Sequence, residues 1–220
     1  MTEYRRPTFP AEIYRDEQGH PIDYGRRWGG SPPADAYSRV SNLHRFAPLH
    51  TVALALIDWV QSSLDVTVEH APNVAADLLL LPTDVVRAVR VVPRDPAAAP
   101  LTFVLSGFPG VYLHAGALHN FHFPVCGCDA CDDDVANLAD ELEWTVRTVV
   151  SGGYSERLDP GQGVEYRLEE PGVGTSSGHR LPEELPAGRL ERARTALPPT
   201  GRWSPWPERG AGGMSPTDSL

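Results

Sequence analysis

Apolar residues recur at helical spacing in two long stretches of the chain. The first stretch begins at Pro48, and its apolar residues are three or four apart: Leu49, Val52, Ala53, Leu56, Ile57, Val60 and Leu64. The second covers residues 132–151, with aspartates at its start and Gly152-Gly153 after its end. Both patterns predict amphipathic helices. A shorter pattern between residues 31 and 44 predicts an earlier helix.

Between the two long stretches, the pattern changes to that of strands. Val66 and Val68 alternate with polar residues and predict a strand at 66–69, the β-branched residues 85–92 predict a second, and residues 101–105 and 111–113 flank a turn and predict a hairpin. Further strands are predicted at 118–123 and, after the second long stretch, at 164–168. In the fifth of them, Phe121 and Phe123 face one side and His122 faces the other. Short turn-forming connections favour antiparallel pairing. The sequence therefore predicts an α+β fold, in which helices pack on one face of a largely antiparallel sheet of about five strands.

Three regions differ in composition. Residues 1–33 carry prolines and aromatic residues, which predict an extended arm lying across the core. Residues 34–170 form the single predicted α+β domain. Residues 171–220 are rich in Pro, Gly and Ser and are predicted to be mostly disordered, apart from a short helix that the pattern at residues 189–197 allows. Trp203 and Trp206 are the exception, because indoles are costly to leave in water and so should dock on the core or on a partner.

The charge of the chain limits the classes of partner. Its 220 residues carry a net charge of −10, and every basic residue is Arg. A nucleic-acid partner is therefore disfavoured, since phosphate binding needs a basic face. No apolar run approaches the ~18 residues of a membrane span, and the N-terminus lacks an apolar signal region. We expect a cytoplasmic protein without a membrane partner.

All the cysteine of the protein lies in one short stretch. Cys126, Cys128 and Cys131 follow the strand that contains His122, in a pattern H-x3-C-x-C-x2-C. Zinc prefers thiolate and imidazole ligands in a tetrahedron. The sequence therefore predicts a structural zinc site of Cys126, Cys128, Cys131 and His122. His114, His119 and Asp129 are rivals for the fourth position.

Two other interpretations of the cysteines stay open. In the first, the thiols are reduced, partly buried and metal-free at a strand-to-helix junction. A redox or catalytic pair is disfavoured, because Asp129 and the aspartates at 132–134 crowd the site and no Arg occurs between Arg94 and Arg147. Nearby carboxylates raise a thiol pKa and favour a divalent cation.

Several motifs together resemble a family of uncharacterised actinobacterial proteins. The resemblance is carried by residues 37–50, by residues 84–90, by Gly107-Phe108-Pro109-Gly110 and by the Cys-Gly-Cys-Asp-Ala-Cys core at 126–131. It covers roughly residues 1–170 and departs at Leu43-His44, where the family tends to have Pro-Glu. The resemblance implies a domain of unknown function and supplies no activity, substrate or catalytic residue.

The sequence favours a non-enzymatic binding protein over an enzyme, because no nucleophile, base or phosphate loop can be recognised. Its partner would be an unidentified protein or small molecule. The alternative is a metal- or thiol-dependent enzyme with its site around residues 114–131. A nucleic-acid adaptor that uses the Arg-rich ends is a third hypothesis.

Overall fold

The first long helix is α1 (Pro48–Ser63). The computed structural model describes residues 3–9, 12–159, 163–186 and 188–210. Pro48 begins α1, where a missing amide hydrogen costs no helical hydrogen bond. The predicted apolar face of α1 is buried along its whole length, and Leu64 next to it is 1% exposed. The second long helix, α2 (Val135–Val150), packs against α1, and its first amides are capped by Asp134.

Five antiparallel strands follow one another in sheet order as they do in the chain. They are β1 (Val66–His70), β2 (Val85–Pro93), β3 (Leu101–Ser106), β4 (Val111–Ala115) and β5 (His119–Phe123). Helices α1 and α2 contact one face of this sheet, and the 3₁₀ helix Pro72–Asp77 covers part of the other face. The predicted α+β class and the largely antiparallel sheet are confirmed.

The helix predicted between residues 31 and 44 is not continuous. Its region holds two 3₁₀ helices, Ala34–Ser38 and Leu43–Phe46, with extended chain between them. The carbonyl oxygens of Ala36 and Arg39 accept hydrogen bonds from the backbone amides of Ala130 and Asp129. Tertiary hydrogen bonds thus replace the helical ones here.

A second antiparallel sheet follows α2. It comprises β6 (Tyr154–Asp159), β7 (Gly163–Glu170) and β8 (Gly174–Arg180), in that order. Sequence reasoning finds only β7 of these strands. The sheet packs on the first one where the His119 ring of β5 stacks on the Tyr166 ring of β7, with ring centroids 3.6 Å apart.

The described part of the C-terminal region contains regular structure. Within residues 171–210 the described chain forms β8, the 3₁₀ helix Pro182–Glu184 and helix α3 (Arg189–Ala196). Trp203 and Trp206 are buried in the main core, in agreement with the expectation that they dock. Residues 211–220 lie outside the described residues.

The N-terminal arm also lies on the core, as predicted. Tyr4 donates a hydrogen bond of 2.7 Å to Glu143 of α2, and Arg6 forms ion pairs with Glu143 and Asp140. None of the described helices is long and apolar enough to cross a membrane.

Candidate metal centre

The three cysteines lie on the loop that joins β5 to α2, residues 124–134. Cys126 and Cys131 are exposed, and Cys128 is buried. Gly127 allows the loop to pass close to the core, because a side-chain Cβ at this position would overlap the Phe108 ring. The sequence thus places three thiols on one tight turn at the edge of the first sheet.

The sulfur atoms of the three cysteines converge. All three Sγ atoms lie within 4.8 Å of one another, and those of Cys128 and Cys131 are 3.5 Å apart. In tetrahedral zinc coordination with Zn–S bonds of about 2.3 Å, neighbouring sulfurs are about 3.8 Å apart. Small side-chain rotations would therefore bring all three sulfurs onto one ion, and the donor set fits zinc.

The N-terminal segment holds this loop in place. Trp28 donates from Nε1 to the carbonyl oxygen of Asp129 at 3.0 Å. The amide of Gly25 donates to the carbonyl oxygen of Asp132 at 2.8 Å. Arg45, which is 1% exposed, donates to the carbonyl oxygens of Ser41 and Gly127. Backbone and side chains of residues 25–45 therefore fix the loop before any metal binds.

Asp129, a predicted rival for the fourth position, is committed elsewhere. Its buried carboxylate accepts two hydrogen bonds of 2.7 Å from Ser41, one from the amide and one from the hydroxyl. Arg27 and Arg39 approach the same carboxylate to 3.5 Å and 3.9 Å. Burial acts to raise the pKa of Asp129, but these hydrogen bonds and charges outweigh it and hold the pKa below its ordinary value. Asp129 anchors the N-terminal segment.

His122, the predicted fourth ligand, is not brought into the group of close ligand atoms. Among the described residues, that group comprises the three cysteines. The His122 ring packs edge-on against Tyr112, with centroids 4.8 Å apart, and its Nε2 is buried without a hydrogen-bond partner in the described chain. The reason is the alternation of the strand: Phe123 enters the core, so His122 faces the other side of the sheet.

The other two histidines also lie away from the thiols. His114 is 4% exposed and its Nδ1 is 2.8 Å from Oδ1 of Asn120. His119 is stacked on Tyr166. Desolvation lowers the pKa of His114 to about 4 and that of His119 to about 3. Both rings are therefore neutral at neutral pH and serve packing.

The electrostatics of the loop differ from the sequence-based picture. The N-terminal segment brings Arg27, Arg39 and Arg45 to a loop that has no arginine near it in sequence. Hydrogen bonding, first from the Cys131 amide, lowers the pKa of Cys128. Desolvation, together with the neighbouring thiols, raises the pKa of Cys131 to about 12. The titrations of three such close thiols are coupled. A divalent cation that binds the three sulfurs would displace their protons.

Glu156 is a buried ionisable residue that sequence reasoning misses. It lies on β6 with no exposed surface, and its carboxylate accepts hydrogen bonds from the amides of Ala117 and Leu118 and from Nε1 of Trp203. Burial raises the pKa of Glu156 to about 7. The sequence does hold a pattern that could have identified it. Tyr154, Glu156 and Leu158 alternate along β6, so the glutamate lies between two inward-facing apolar positions.

Fold and site together define an α+β protein with a loop that gathers three thiols suited to a metal ion. The chain belongs to DUF6226, a family of unknown function whose model matches residues 10–210. This confirms the expected membership of a family of unknown function, and the match extends into the C-terminal region that the resemblance left out. No curated protein and no solved structure matches the chain.

Proposed function

We propose that this protein is a non-enzymatic binding protein in which Cys126, Cys128 and Cys131 hold a structural zinc ion. The observation that carries the proposal is the convergence of the three Sγ atoms to within 4.8 Å. Thiolate sulfur favours zinc over the hard cations magnesium and calcium. The ion would join the end of β5 to the start of α2, and would thereby support the docked N-terminal segment.

The compartment that suits this site is a reducing one. All three cysteines are free thiols, although two of them lie 3.5 Å apart. A reducing cytoplasm keeps such thiols available as zinc ligands. We therefore place the protein in the cytoplasm as part of the proposal.

The fourth ligand is proposed to come from outside the cysteine loop. Cys126 and Cys131 are exposed, so one side of the cluster faces solvent. A protein group from beyond the loop, of this chain or of a binding partner, would complete the tetrahedron there and close the site, as structural zinc requires. His122 would have to leave its contact with Tyr112 to reach the ion.

Metal analysis of the protein purified under reducing, zinc-replete conditions tests the proposal. We expect one zinc per chain, and we expect Cys128→Ser to remove it. At free zinc near 100 times Kd, the ion should stabilise the fold by about 3 kcal/mol, and a chelator should remove this gain. His122→Ala is the matched control, because it changes a nearby imidazole and should keep the zinc. Metal-free protein with three freely titrating thiols would refute the site.

The exposure of two thiols favours one second candidate, a metal-dependent enzyme with its site at this loop. Catalytic zinc keeps an exchangeable position, whereas structural zinc does not. Cobalt-substituted protein separates the two. Added cyanide should leave the visible cobalt spectrum unchanged if the site is closed and structural, and should shift it if the fourth position exchanges.

A further inference from the structure

A cavity of about 510 Å³ opens beside the cysteine loop. Its walls come from the N-terminal segment, the end of the loop and the first turns of α2. Trp28 forms one wall, and Cys131 borders it on the side of the thiols. This volume lies in the range of small-molecule sites, about 300–1,000 Å³.

Four carboxylates line the cavity: Asp132, Asp133, Asp134 and Glu141. Asp134 uses one oxygen to cap α2, through a hydrogen bond from the Asn137 amide. Glu141 lies one turn further along α2, is exposed, and has no side-chain hydrogen bond or ion pair with any described residue. The cavity therefore presents four carboxylates, and that of Glu141 has no partner among the described residues.

The carboxylate of Asp132 is buried, and only one of its two oxygens has a hydrogen-bond donor among the described residues. The residue is 8% exposed. Its Oδ2 accepts a hydrogen bond of 2.8 Å from the Arg27 amide, but its Oδ1 is buried without a partner in the described chain. A buried carboxylate oxygen without a donor is unfavourable, and a ligand N–H group would satisfy it.

The neighbouring arginines do not neutralise this wall. Arg27 directs its guanidinium to Asp129 and over the Trp28 ring. Arg45 is buried between the rings of Tyr24 and Phe46, from where its charge acts on Asp132 and Asp133 at a distance. The charge of Arg45 acts on only two of the four lining carboxylates, so the cavity remains acidic.

The carboxylates are spread around the cavity and do not converge on one point. In the part of the chain that the structure describes, the three thiols bring their ligand atoms within 4.8 Å of one another. No three of the described carboxylates do so. A bare metal ion needs several oxygens at about 2.0–2.6 Å. An extended organic cation can contact separated carboxylates.

We propose that this cavity binds a small organic cation, an amine or guanidine, whose N–H groups donate to Asp132 and Glu141. The proposal names a ligand class for the binding role proposed above and rests on that role, but it does not require the zinc ion. The net charge of the chain, −10, also favours attraction of cations.

Titration calorimetry of the full chain with putrescine tests this site. We expect saturable binding of putrescine and none of 1,4-butanediol, which has the same length without charge. Asp132→Asn and Glu141→Gln should each weaken binding about tenfold, as expected for loss of a charge-assisted hydrogen bond. Asp58→Asn is the matched control, because it removes one exposed carboxylate on α1 and should bind as the wild type does.

Three results would overturn the proposal: equal weakening by Asp58→Asn, equal binding of butanediol, or displacement of putrescine by equimolar Mg²⁺. Asn at position 132 tolerates the positive φ of 53° found there, and Glu141→Gln provides a second variant that disturbs no described hydrogen bond. Zinc content is measured on the same samples. Putrescine binding that persists in the zinc-free Cys128→Ser variant supports this site independently of the metal. Zinc-loaded protein that does not bind putrescine refutes this site alone.

Discussion

At the scale of the residue, Glu156 shows how one buried carboxyl group connects distant segments. Its two oxygens accept from the turn at Ala117 and Leu118 and from the indole of Trp203. Burial still disfavours its charged form, so its pKa rises from an ordinary value of 4.5 to about 7. The folded state therefore binds the Glu156 proton more tightly than the unfolded state does.

This raised pKa predicts a pH dependence with a definite sign. The stabilising contribution of Glu156 is complete below pH 4.5 and is lost as the pH rises through 7. Relative to Glu156→Gln, the free energy of unfolding of the wild type should fall by about 3 kcal/mol between these limits. Urea unfolding across this pH range measures the difference. Glu165→Gln, an exposed change on β7, should follow the wild type, and parallel curves for Glu156→Gln would contradict the prediction.

At the scale of the element, a stack of rings joins the two sheets. His119 of β5 lies on Tyr166 of β7, and Phe121 meets the edge of the same tyrosine at 5.3 Å between centroids. Desolvation, assisted by the charge of Arg180, lowers the pKa of His119 to about 3. The contact between the sheets thus depends on an imidazole that must stay neutral.

Acid should weaken this joint between the sheets. The contribution of neutral His119 to the free energy of unfolding is complete above pH 6.5 and is lost as the pH falls toward 3. About 3 kcal/mol should be lost by pH 4. His119→Phe keeps a ring on Tyr166 and should lessen the loss of stability in acid. Unfolding at pH 7 and pH 4 measures this, with exposed His20→Gln as control. An NMR titration that places the His119 pKa near 6.5 would refute the explanation.

At the scale of the whole molecule, the C-terminal segment ties separate parts of the fold together. The amide of Trp206 donates to Val150 at the end of α2, and its Nε1 donates to Ala99 before β3. The neighbouring Pro207 accepts from the amide of Asp65, after α1. Residues 203–207 therefore join α2, the first sheet and the end of α1.

Removal of the Trp206 indole should destabilise the whole fold. Large-to-small substitution of a buried tryptophan costs about 3–5 kcal/mol, so Trp206→Ala should lower the free energy of unfolding by that amount. Tyr37→Ala, at a side chain that is 63% exposed, should change it by about 0.5 kcal/mol or less. Equal small losses in both variants, measured by urea unfolding, would show that the segment contributes little.

Local patterns were sufficient for the two long helices, for the first sheet and for the cysteines. The apolar stripe of α1, the apolar and β-branched runs of β1 to β5 and the turn at residues 106–110 are properties of neighbouring residues, and each of these elements formed where its pattern predicted it. The convergence of the thiols followed from the same cause, since six residues of one turn hold all three. Strand β8 has almost no apolar residues, so its pattern predicts nothing, and its backbone pairing with β7 supplies its order.

Only the tertiary structure decided what surrounds the cysteine loop. Ser41 lies 88 residues from Asp129 in sequence, yet it satisfies that carboxylate and removes it from the thiols. His122 is four residues from Cys126, but its strand turns it to the face opposite the buried Phe123, where its ring packs against Tyr112 and lies outside the thiol group. Spacing along the chain fixes which residues share a face of one element. Which faces meet depends on the packing of the whole chain, and here that packing brought arginines, a docked arm and an acidic cavity to the thiols.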